Sequence, residues 1–152
     1  MWFHIDAAWG GGCLFSSKHR DLMDGAELAD SIAWDMHKMM GMPLICSAFL
    51  IKDLEMLKTV CQHGQTAHYL LHASAETEDL GHRSLQCGRV NDTLKCWLAW
   101  KEKGDEGWEA LVDTYIENAD YFEQKVIDHP KLEMMSRRKF ANICMRYNPG
   151  TG

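Results

Sequence analysis

The chain has 152 residues, of which 46% are hydrophobic and 25% charged, and its net charge is −6. One domain of this size buries a sizeable core, and the composition is ordinary for a globular protein. The acidic balance disfavours a nucleic-acid partner, which usually needs a basic face. The longest mostly apolar run, residues 39–51, is broken by Gly41 and Pro43 and is too short to span a membrane.

Six cysteines are scattered along the chain, and none stands in a Cys-x-x-Cys pair. A zinc knuckle or a thioredoxin-type motif is therefore not expected, and free thiols in a reducing cytoplasm are the simplest interpretation. The first four residues lack the basic and apolar regions of a signal peptide. We therefore expect a cytoplasmic protein with no membrane partner and no metal site.

Short apolar runs in the first third of the chain predict three strands. The first run covers residues 2–6 and opens into small residues, the second covers 29–34, and the third covers 45–51. Between the first two runs, residues 16–23 are predicted to form a short helix. Leu54, Leu57 and Cys61, at spacings of three and four, predict a second helix over residues 52–61.

The middle of the chain is a polar stretch between helical patterns. Residues 62–83 have little periodicity and hold an acidic run, so we predict an exposed, mobile loop there. Apolar residues on one face predict a helix over residues 91–103, with Gly104 as its stop. The clearest apolar stripe predicts another helix over residues 105–128.

Two further strands are predicted near the end, over residues 131–135 and 140–147. Strands mixed with helices favour an α/β architecture, here with an incomplete sheet. Met39, Met40 and Met42 are expected to fill the core, because flexible thioethers adapt to irregular gaps.

An acid and a lysine follow two neighbouring predicted strands. Asp6 ends the first strand and Lys38 lies just past the second. If the strands are parallel neighbours, their carboxyl ends meet at one edge, which is where such sheets bind ligands. A pyridoxal phosphate site needs this pair of groups. The lysine must be neutral to attack the cofactor aldehyde, and the aspartate keeps the pyridine nitrogen protonated.

An ordered set of motifs supports the prediction of a pyridoxal phosphate site. The set resembles the group II pyridoxal-phosphate decarboxylases, which include glutamate, cysteine sulfinate and aromatic amino acid enzymes. The family pattern is a His-Val-Asp-Ala-Ala strand, then Ala-Asp-Ser, a His-Lys pair and Cys-Ser-Ala. The matching segments, in the same order, are His4–Ala8, Ala29–Ser31, His37–Lys38 and Cys46–Ala48, and the likeness continues through Gln86–Arg89 and Leu94–Lys101.

The resemblance implies a cofactor site for pyridoxal 5'-phosphate. Lys38 would form the Schiff base, and Asp6 would pair with the pyridinium nitrogen. Ala8 would pack on the face of the ring. His37 would lie near the cofactor phosphate or near the lysine.

Two further residues would act on a small amino acid substrate. Tyr69, in a run that resembles the family's mobile catalytic loop, would protonate the α-carbon after carbon dioxide leaves. Arg89 matches the arginine with which members that act on acidic substrates bind a carboxylate, a task that suits the guanidinium fork. The resemblance therefore favours glutamate, cysteine sulfinate or aspartate. An aromatic amino acid or 2,4-diaminobutyrate is the alternative.

Each of these residues also has a purely structural interpretation. Asp6 could cap a turn, and His37 could be a hydrogen-bonding residue of the scaffold. Tyr69 could be an ordinary aromatic residue of a loop, and Arg89 could cap a helix or pair with Asp92.

One position departs from the family pattern. Many members have Asn-Pro before the His-Lys pair, where this chain has Asp35 and Met36. An acid near the cofactor phosphate would be repulsive unless it points elsewhere. We therefore do not place Asp35 in the predicted site.

The resemblance also implies an architecture and an assembly. It implies a partial fold-type I pyridoxal-phosphate transferase fold. Residues 1–104 would be the C-terminal part of the large mixed-sheet domain, and residues 105–152 the linking helix and the start of the small C-terminal α+β domain. Members are homodimers with the site at the subunit boundary. The long upstream segment of the family is absent, so we expect a fragment that binds cofactor weakly, if at all, and does not turn over substrate alone.

Two alternatives to an acidic amino acid decarboxylase stay open. The chain could be a non-catalytic remnant that at most pairs with a partner chain through exposed sheet edges. It could also belong to another enzyme of the same cofactor class, such as an aminotransferase. The His-Lys and Cys-Ser-Ala arrangement disfavours that second alternative.

Overall fold

A computed structural model describes part of the chain, namely residues 1–61, 80–86 and 88–150. Its central element is a three-stranded sheet of β1 (His4–Asp6), β2 (Ser31–Asp35) and β3 (Ser47–Ile51), in that order. Strand β1 runs parallel to β2, as expected from the sequence, and β3 runs antiparallel to β2. The carboxyl ends of β1 and β2 therefore lie at the same edge of the sheet.

Alternation along the strands gives this sheet two faces. Residues paired across neighbouring strands share a face, and His4 Nδ1 lies 2.8 Å from Ser31 Oγ on one of them. We call that one the front face and the other the back face. The front face carries His4, Asp6, Ser31, Ala33, Asp35, Ser47, Phe49 and Ile51, and the back face carries Ile5, Ile32, Trp34, Ala48 and Leu50.

Two α-helices follow the sheet. Helix α1 spans Leu54–Val60 and is capped by Asp53, whose carboxylate accepts a hydrogen bond of 3.0 Å from the Glu55 amide. Helix α2 spans Asp92–Asp128 and is interrupted at Gly104, where φ is 64° and ψ is −178°. The two helices predicted on either side of Gly104 are therefore confirmed, and the backbone at that residue breaks the helical geometry between them. The predicted domain boundary at residue 104 falls at this kink and stays a prediction.

The end of the described chain forms a small antiparallel sheet of β4 (Leu132–Met134) and β5 (Met145–Tyr147). The last strand is shorter than the run predicted over residues 140–147. The mixture of strands and helices confirms the predicted α/β class.

The predicted helix over residues 16–23 is wrong. This region contains short 3₁₀ turns at Gly10–Phe15, Arg20–Met23 and Ala26–Leu28 instead. The reason lies in Ser16 and Ser17, whose hydroxyls donate hydrogen bonds to Asp113 and Glu109 on α2. Side chains tied to a distant helix hold this backbone extended rather than helical, and Ser16 has φ −91° and ψ 122°.

The loop predicted over residues 62–83 lies mostly outside the described residues. Its last four residues, Leu80–Arg83, form a 3₁₀ turn.

The core lies between the segment after β2 and helix α2. Trp108 is fully buried at 0% exposure and packs in a cluster with Met36, Met40, Met42 and Cys46. Burying a large aromatic residue and several thioethers contributes about 1.5–3 kcal/mol per side chain. The predicted core role of the methionines is confirmed, since Met39, Met40 and Met42 are all buried. This packing fixes the segment that carries Lys38.

Neither helix in the described part of the chain is long and apolar enough to cross a lipid bilayer. The cysteines within the described ranges are free thiols, namely Cys13, Cys46, Cys61, Cys96 and Cys144. Burial raises the pKa of the Cys13 and Cys46 thiols above the ordinary value of 9.0.

A buried carboxylate on α2 anchors the region of 3₁₀ turns. Asp113 Oδ1 accepts a hydrogen bond of 2.5 Å from Ser16 Oγ, and Lys18 Nζ lies 2.6 Å from Asp113 Oδ2. The hydrogen bond from Lys18 lowers the pKa of Asp113 most, and the bond from Ser16 adds to it. The charged form of Asp113 therefore stabilises the fold.

We expect Asp113→Asn to lower the free energy of unfolding by about 1–3 kcal/mol at neutral pH, because it weakens a buried, charge-assisted hydrogen bond. Since the pKa of Asp113 is lowered on folding, its contribution is present above 3.8 and is lost as pH falls through the lower folded value. Urea unfolding at pH 7 and pH 3 measures this change.

The matched control is Glu106→Gln, an equal charge change at an exposed position of the same helix. It should leave stability nearly unchanged. An equal loss in both variants, or a loss from Asp113→Asn that does not shrink in acid, would contradict the anchoring role.

Candidate active site

The front face brings Asp6 and Lys38 to the same edge of the sheet. Asp6 is paired with Ala33 on β2, and Asp35 lies two residues further along the same face. Lys38 follows in the turn after β2, and its Nζ lies 2.9 Å from Asp35 Oδ2. The sequence predicted that Asp6 and Lys38 would meet at one edge, and the strand register and this ion pair place them there.

Ala8 links Asp6 to Asp35 through two hydrogen bonds. Its amide donates a hydrogen bond of 3.0 Å to Asp6 Oδ1, and its carbonyl oxygen accepts one of 3.1 Å from the Asp35 amide. The backbone after β1 is thereby joined to the end of β2. The first of these bonds is a turn cap, so the structural interpretation of Asp6 is confirmed. The predicted roles of Asp6 and Ala8 toward the cofactor stay predictions.

Asp35 is the residue that the sequence analysis set aside. Its Oδ1 accepts a hydrogen bond of 2.6 Å from Ser47 Oγ on β3, and its Oδ2 faces Lys38. The bond from Ser47, followed by the bond from Lys38, lowers the pKa of the Asp35 carboxyl. The spacing of three residues between Asp35 and Lys38 was the available signal for this pair. The acid points along the front face toward the lysine.

His37 fixes the turn that carries Lys38. Its Nδ1 accepts a hydrogen bond of 3.1 Å from the Cys46 amide, and its own amide donates one of 3.1 Å to the Cys46 carbonyl oxygen. Its side chain is nearly buried. These contacts confirm the structural interpretation of His37. Its predicted position near the cofactor phosphate or the lysine is supported only on the lysine side, because His37 Nε2 lies 3.9 Å from Asp35 Oδ2.

The two residues predicted to act on substrate are not brought to this group by the described contacts. Arg89 is exposed, and its Nη1 donates hydrogen bonds to Ser84 Oγ at 2.7 Å and to Gln86 Oε1 at 2.9 Å. The alternative pairing of Arg89 with Asp92 is wrong, since Asp92 pairs with Lys95 at 2.8 Å. Tyr69 lies outside the described residues.

The donor set fits the predicted cofactor. A carboxylate and a primary amine on one face match a ligand with a basic ring nitrogen and an aldehyde group. Ala33, which is paired with Asp6, carries only a methyl group on the same face. Lys38 would bind the aldehyde, and Asp6 would face the ring nitrogen.

We expect His37→Ala to speed hydrogen exchange at the Cys46 amide about five- to tenfold, because the variant removes the acceptor of that amide. Exchange followed by NMR measures the change. His129→Ala is the matched control, since it removes an equivalent bond of 3.1 Å from the Lys131 amide to His129 Nδ1. The control variant should speed exchange at the Lys131 amide and leave exchange at the Cys46 amide unchanged. If His37→Ala does not change exchange at the Cys46 amide, His37 does not fix this turn.

Comparison with known proteins finds relatives along almost the whole chain. The chain is 40% identical to the cysteine sulfinic acid decarboxylase of Homo sapiens over 152 residues, and 39% identical to that of Mus musculus. Each match covers 98% of this chain and 31% of the relative. The chain thus spans less than a third of the length of these curated relatives.

Solved structures share the fold. The crystal structure of mouse CSAD matches with a TM-score of 0.85 and 36% identity, over 97% of this chain and 30% of that chain. The structure of Oryza sativa TDC with PLP and tryptamine matches with a TM-score of 0.85 and 27% identity, over the same shares. These matches confirm the predicted partial fold of a pyridoxal-phosphate enzyme.

The family profile settles the classification. The profile described as the pyridoxal-dependent decarboxylase conserved domain matches residues 1–148. Together with a solved relative that contains PLP, this match supports pyridoxal 5'-phosphate as the cofactor. The chain belongs to the pyridoxal-dependent decarboxylase family.

Proposed function

We propose that this chain carries the cofactor-binding lysine of an enzyme that removes a carboxyl group from an acidic L-amino acid, releasing the amine and carbon dioxide. The observation that carries the proposal is the connected group on the front face. Asp6, Ala8, Asp35 and Lys38 are joined by consecutive hydrogen bonds and one ion pair. The proposal therefore rests on placed functional groups as well as on sequence similarity.

The chemistry divides between the cofactor and the protein. When bound, pyridoxal phosphate supplies the electron sink for the charge left on the α-carbon as carbon dioxide departs. The Lys38 amine would hold the cofactor at its aldehyde carbon, and the Asp6 carboxylate would hold a proton at the ring nitrogen. The Ala8 methyl would pack against the ring, and the nearly buried side chain of His37 keeps the lysine turn in place.

An acidic substrate is favoured by Arg89 and by the named relatives. The guanidinium of Arg89 binds the second carboxylate or the sulfinate in this proposal, a task that suits its paired donors. The curated relatives quoted above act, by name, on cysteine sulfinic acid. Cysteine sulfinate is therefore the first candidate, with glutamate and aspartate next. Tyr69 is proposed as the acid that protonates the α-carbon.

We further propose that the complete enzyme is a cytoplasmic homodimer. Large apolar side chains are exposed on this chain, among them Trp2, Phe3, Trp97 and Leu98. Exposed apolar surface of this kind marks an interaction site in folded proteins.

A second candidate is a non-catalytic remnant of such an enzyme. It is favoured by the fact that the chain spans only 31% of its relatives' length. In that case the residues of the front face keep their arrangement, but the chain does not turn over substrate.

We expect Lys38→Ala to abolish covalent capture of the cofactor. The chain is incubated with pyridoxal phosphate, reduced with borohydride, digested and analysed by mass spectrometry. Reduced cofactor should be found on Lys38 in the natural chain, even at low occupancy, and on no equivalent peptide of the variant. Lys52→Ala is the control, an exposed lysine at the opposite end of the sheet, and should behave like the natural chain. Label spread evenly over the lysines would count against a built site.

A chimera tests the activity and the substrate. In it, this chain replaces the matching stretch of the human cysteine sulfinic acid decarboxylase. We expect carbon dioxide release from cysteine sulfinate at least about tenfold faster than from tryptophan, since a site that pairs a buried charge rejects substrates lacking it. A Lys38→Ala chimera should release none. A chimera that captures cofactor on Lys38 but releases no carbon dioxide would favour the remnant.

A further inference from the structure

The amine of Lys38, to which the cofactor would bind, is engaged in an ion pair with Asp35. Lys38 Nζ lies 2.9 Å from Asp35 Oδ2, and the side chains are 42% and 21% exposed respectively. We propose that Asp35 is a positioning residue whose ion pair holds the Lys38 amine against its carboxylate and thereby slows the reaction of that amine with aldehydes, including the cofactor. The part of this inference that concerns the cofactor rests on the function proposed above.

Asp35 is held in place by one hydrogen bond to its carboxylate and two hydrogen bonds of its backbone. Ser47 Oγ on β3 donates a hydrogen bond of 2.6 Å to Oδ1, and the Asp35 amide donates one of 3.1 Å to the Ala8 carbonyl oxygen. The Lys38 amide in turn donates a hydrogen bond of 3.0 Å to the Asp35 carbonyl oxygen. An ordinary surface pair loses much of its strength by fixing two flexible side chains. Here the acid is already fixed, so only the lysine side chain has to be ordered.

Two other titratable groups, Asp6 and His37, belong to the elements that surround the pair. Asp6 on β1 lies on the same front face, and its carboxylate is bonded to Ala8, whose carbonyl oxygen accepts from Asp35. His37 is the second basic group near Asp35, with Nε2 at 3.9 Å from Oδ2. Lys38 Nζ, at 2.9 Å, is the nearer of the two basic groups to Asp35 Oδ2.

Reaction with an aldehyde requires the pair to open. The ammonium group first loses a proton to solvent, because the Asp35 carboxyl, whose pKa is lowered, is a poor acceptor for it. The Nζ lone pair then forms a bond to the aldehyde carbon, and the aldehyde oxygen leaves as water. Each molecule that reacts must therefore give up its contact with Asp35.

The test uses formaldehyde with cyanoborohydride as a small, neutral probe on the full 152-residue chain. The extent of methylation at each lysine is read by mass spectrometry after brief labelling. We expect Asp35→Asn to raise labelling of Lys38 about three- to tenfold at neutral pH, since a fixed, partly exposed charge pair is lost. Asp35→Glu should restore slow labelling.

The chain offers a matched control for the variant. Lys58 and Glu55 form a pair of the same spacing at 2.8 Å on α1. Glu55→Gln should leave Lys38 labelling unchanged, and Asp35→Asn should leave Lys58 unchanged. Equal labelling of Lys38 in Asp35→Asn and the natural chain would overturn the inference.

A salt titration of the natural chain tests the same idea without any variant. Lys38 labelling should rise about two- to threefold between low salt and 1 M sodium chloride, because salt screens its partner's charge. Lys52 is the internal reference, because its Nζ donates a hydrogen bond of 2.6 Å to the uncharged Glu27 carbonyl oxygen. The two lysines responding alike to salt would also overturn the inference.

Parallel labelling with pyridoxal phosphate and borohydride separates the two proposals. If the neutral aldehyde shows the Asp35 effect but the cofactor is never captured at Lys38, the proposed function fails and the positioning role of Asp35 stands. If the cofactor is captured at Lys38 equally in Asp35→Asn and the natural chain, and the neutral probe agrees, Asp35 has no such role and the proposed function stands.

Discussion

The burial of the methionine-rich segment after β2 against Trp108 is the constraint on which the site depends. This segment leaves the sheet immediately after Asp35, and Met36 and Met40 enter the same cluster as Trp108. With these side chains buried, the turn between them has one orientation, and Lys38 points back toward the front face. The Lys38 amine stays partly exposed, while Met36 and Met40 on either side of it are buried. A loose core at this point would leave the lysine without a defined direction.

The strand positions, and the shared edge at which β1 and β2 end, could be predicted from the sequence for a physical reason. Short apolar runs that end in a polar residue have few alternatives to a buried strand, and parallel neighbours place their ends together. The antiparallel course of β3 could not be predicted in the same way. It depends on how the chain turns through Pro43 and Leu44, which periodicity does not encode.

The features that the sequence analysis did not foresee share one cause, which is that hydrogen bonds of side chains, whether local or distant, decide them. Residues 16–23 have a helical pattern, yet Ser16 is bonded to Asp113, which stands 97 positions later. Asp35 was left out of the predicted site because an acid near the cofactor phosphate would be repulsive, and its contacts with Lys38 and Ser47 fix where its carboxylate points. Arg89 shows the same limit, since its bonds to Ser84 and Gln86 follow from the local shape of its segment. Hydrogen bonds between side chains carry no period that a sequence can display.

The kink in α2 determines which side chains of this helix can contact each other. Trp100 and Trp108 lie on opposite sides of Gly104, yet their ring centroids are 5.9 Å apart. Eight residues of straight helix would separate their backbones by about 12 Å along the axis. A side chain at position 104 would meet no other atom within 4 Å, so the left-handed backbone, rather than crowding, is what requires glycine there. The kink therefore brings the two indole rings into contact. The part of α2 before Gly104 and the part after it are joined by this hydrophobic contact.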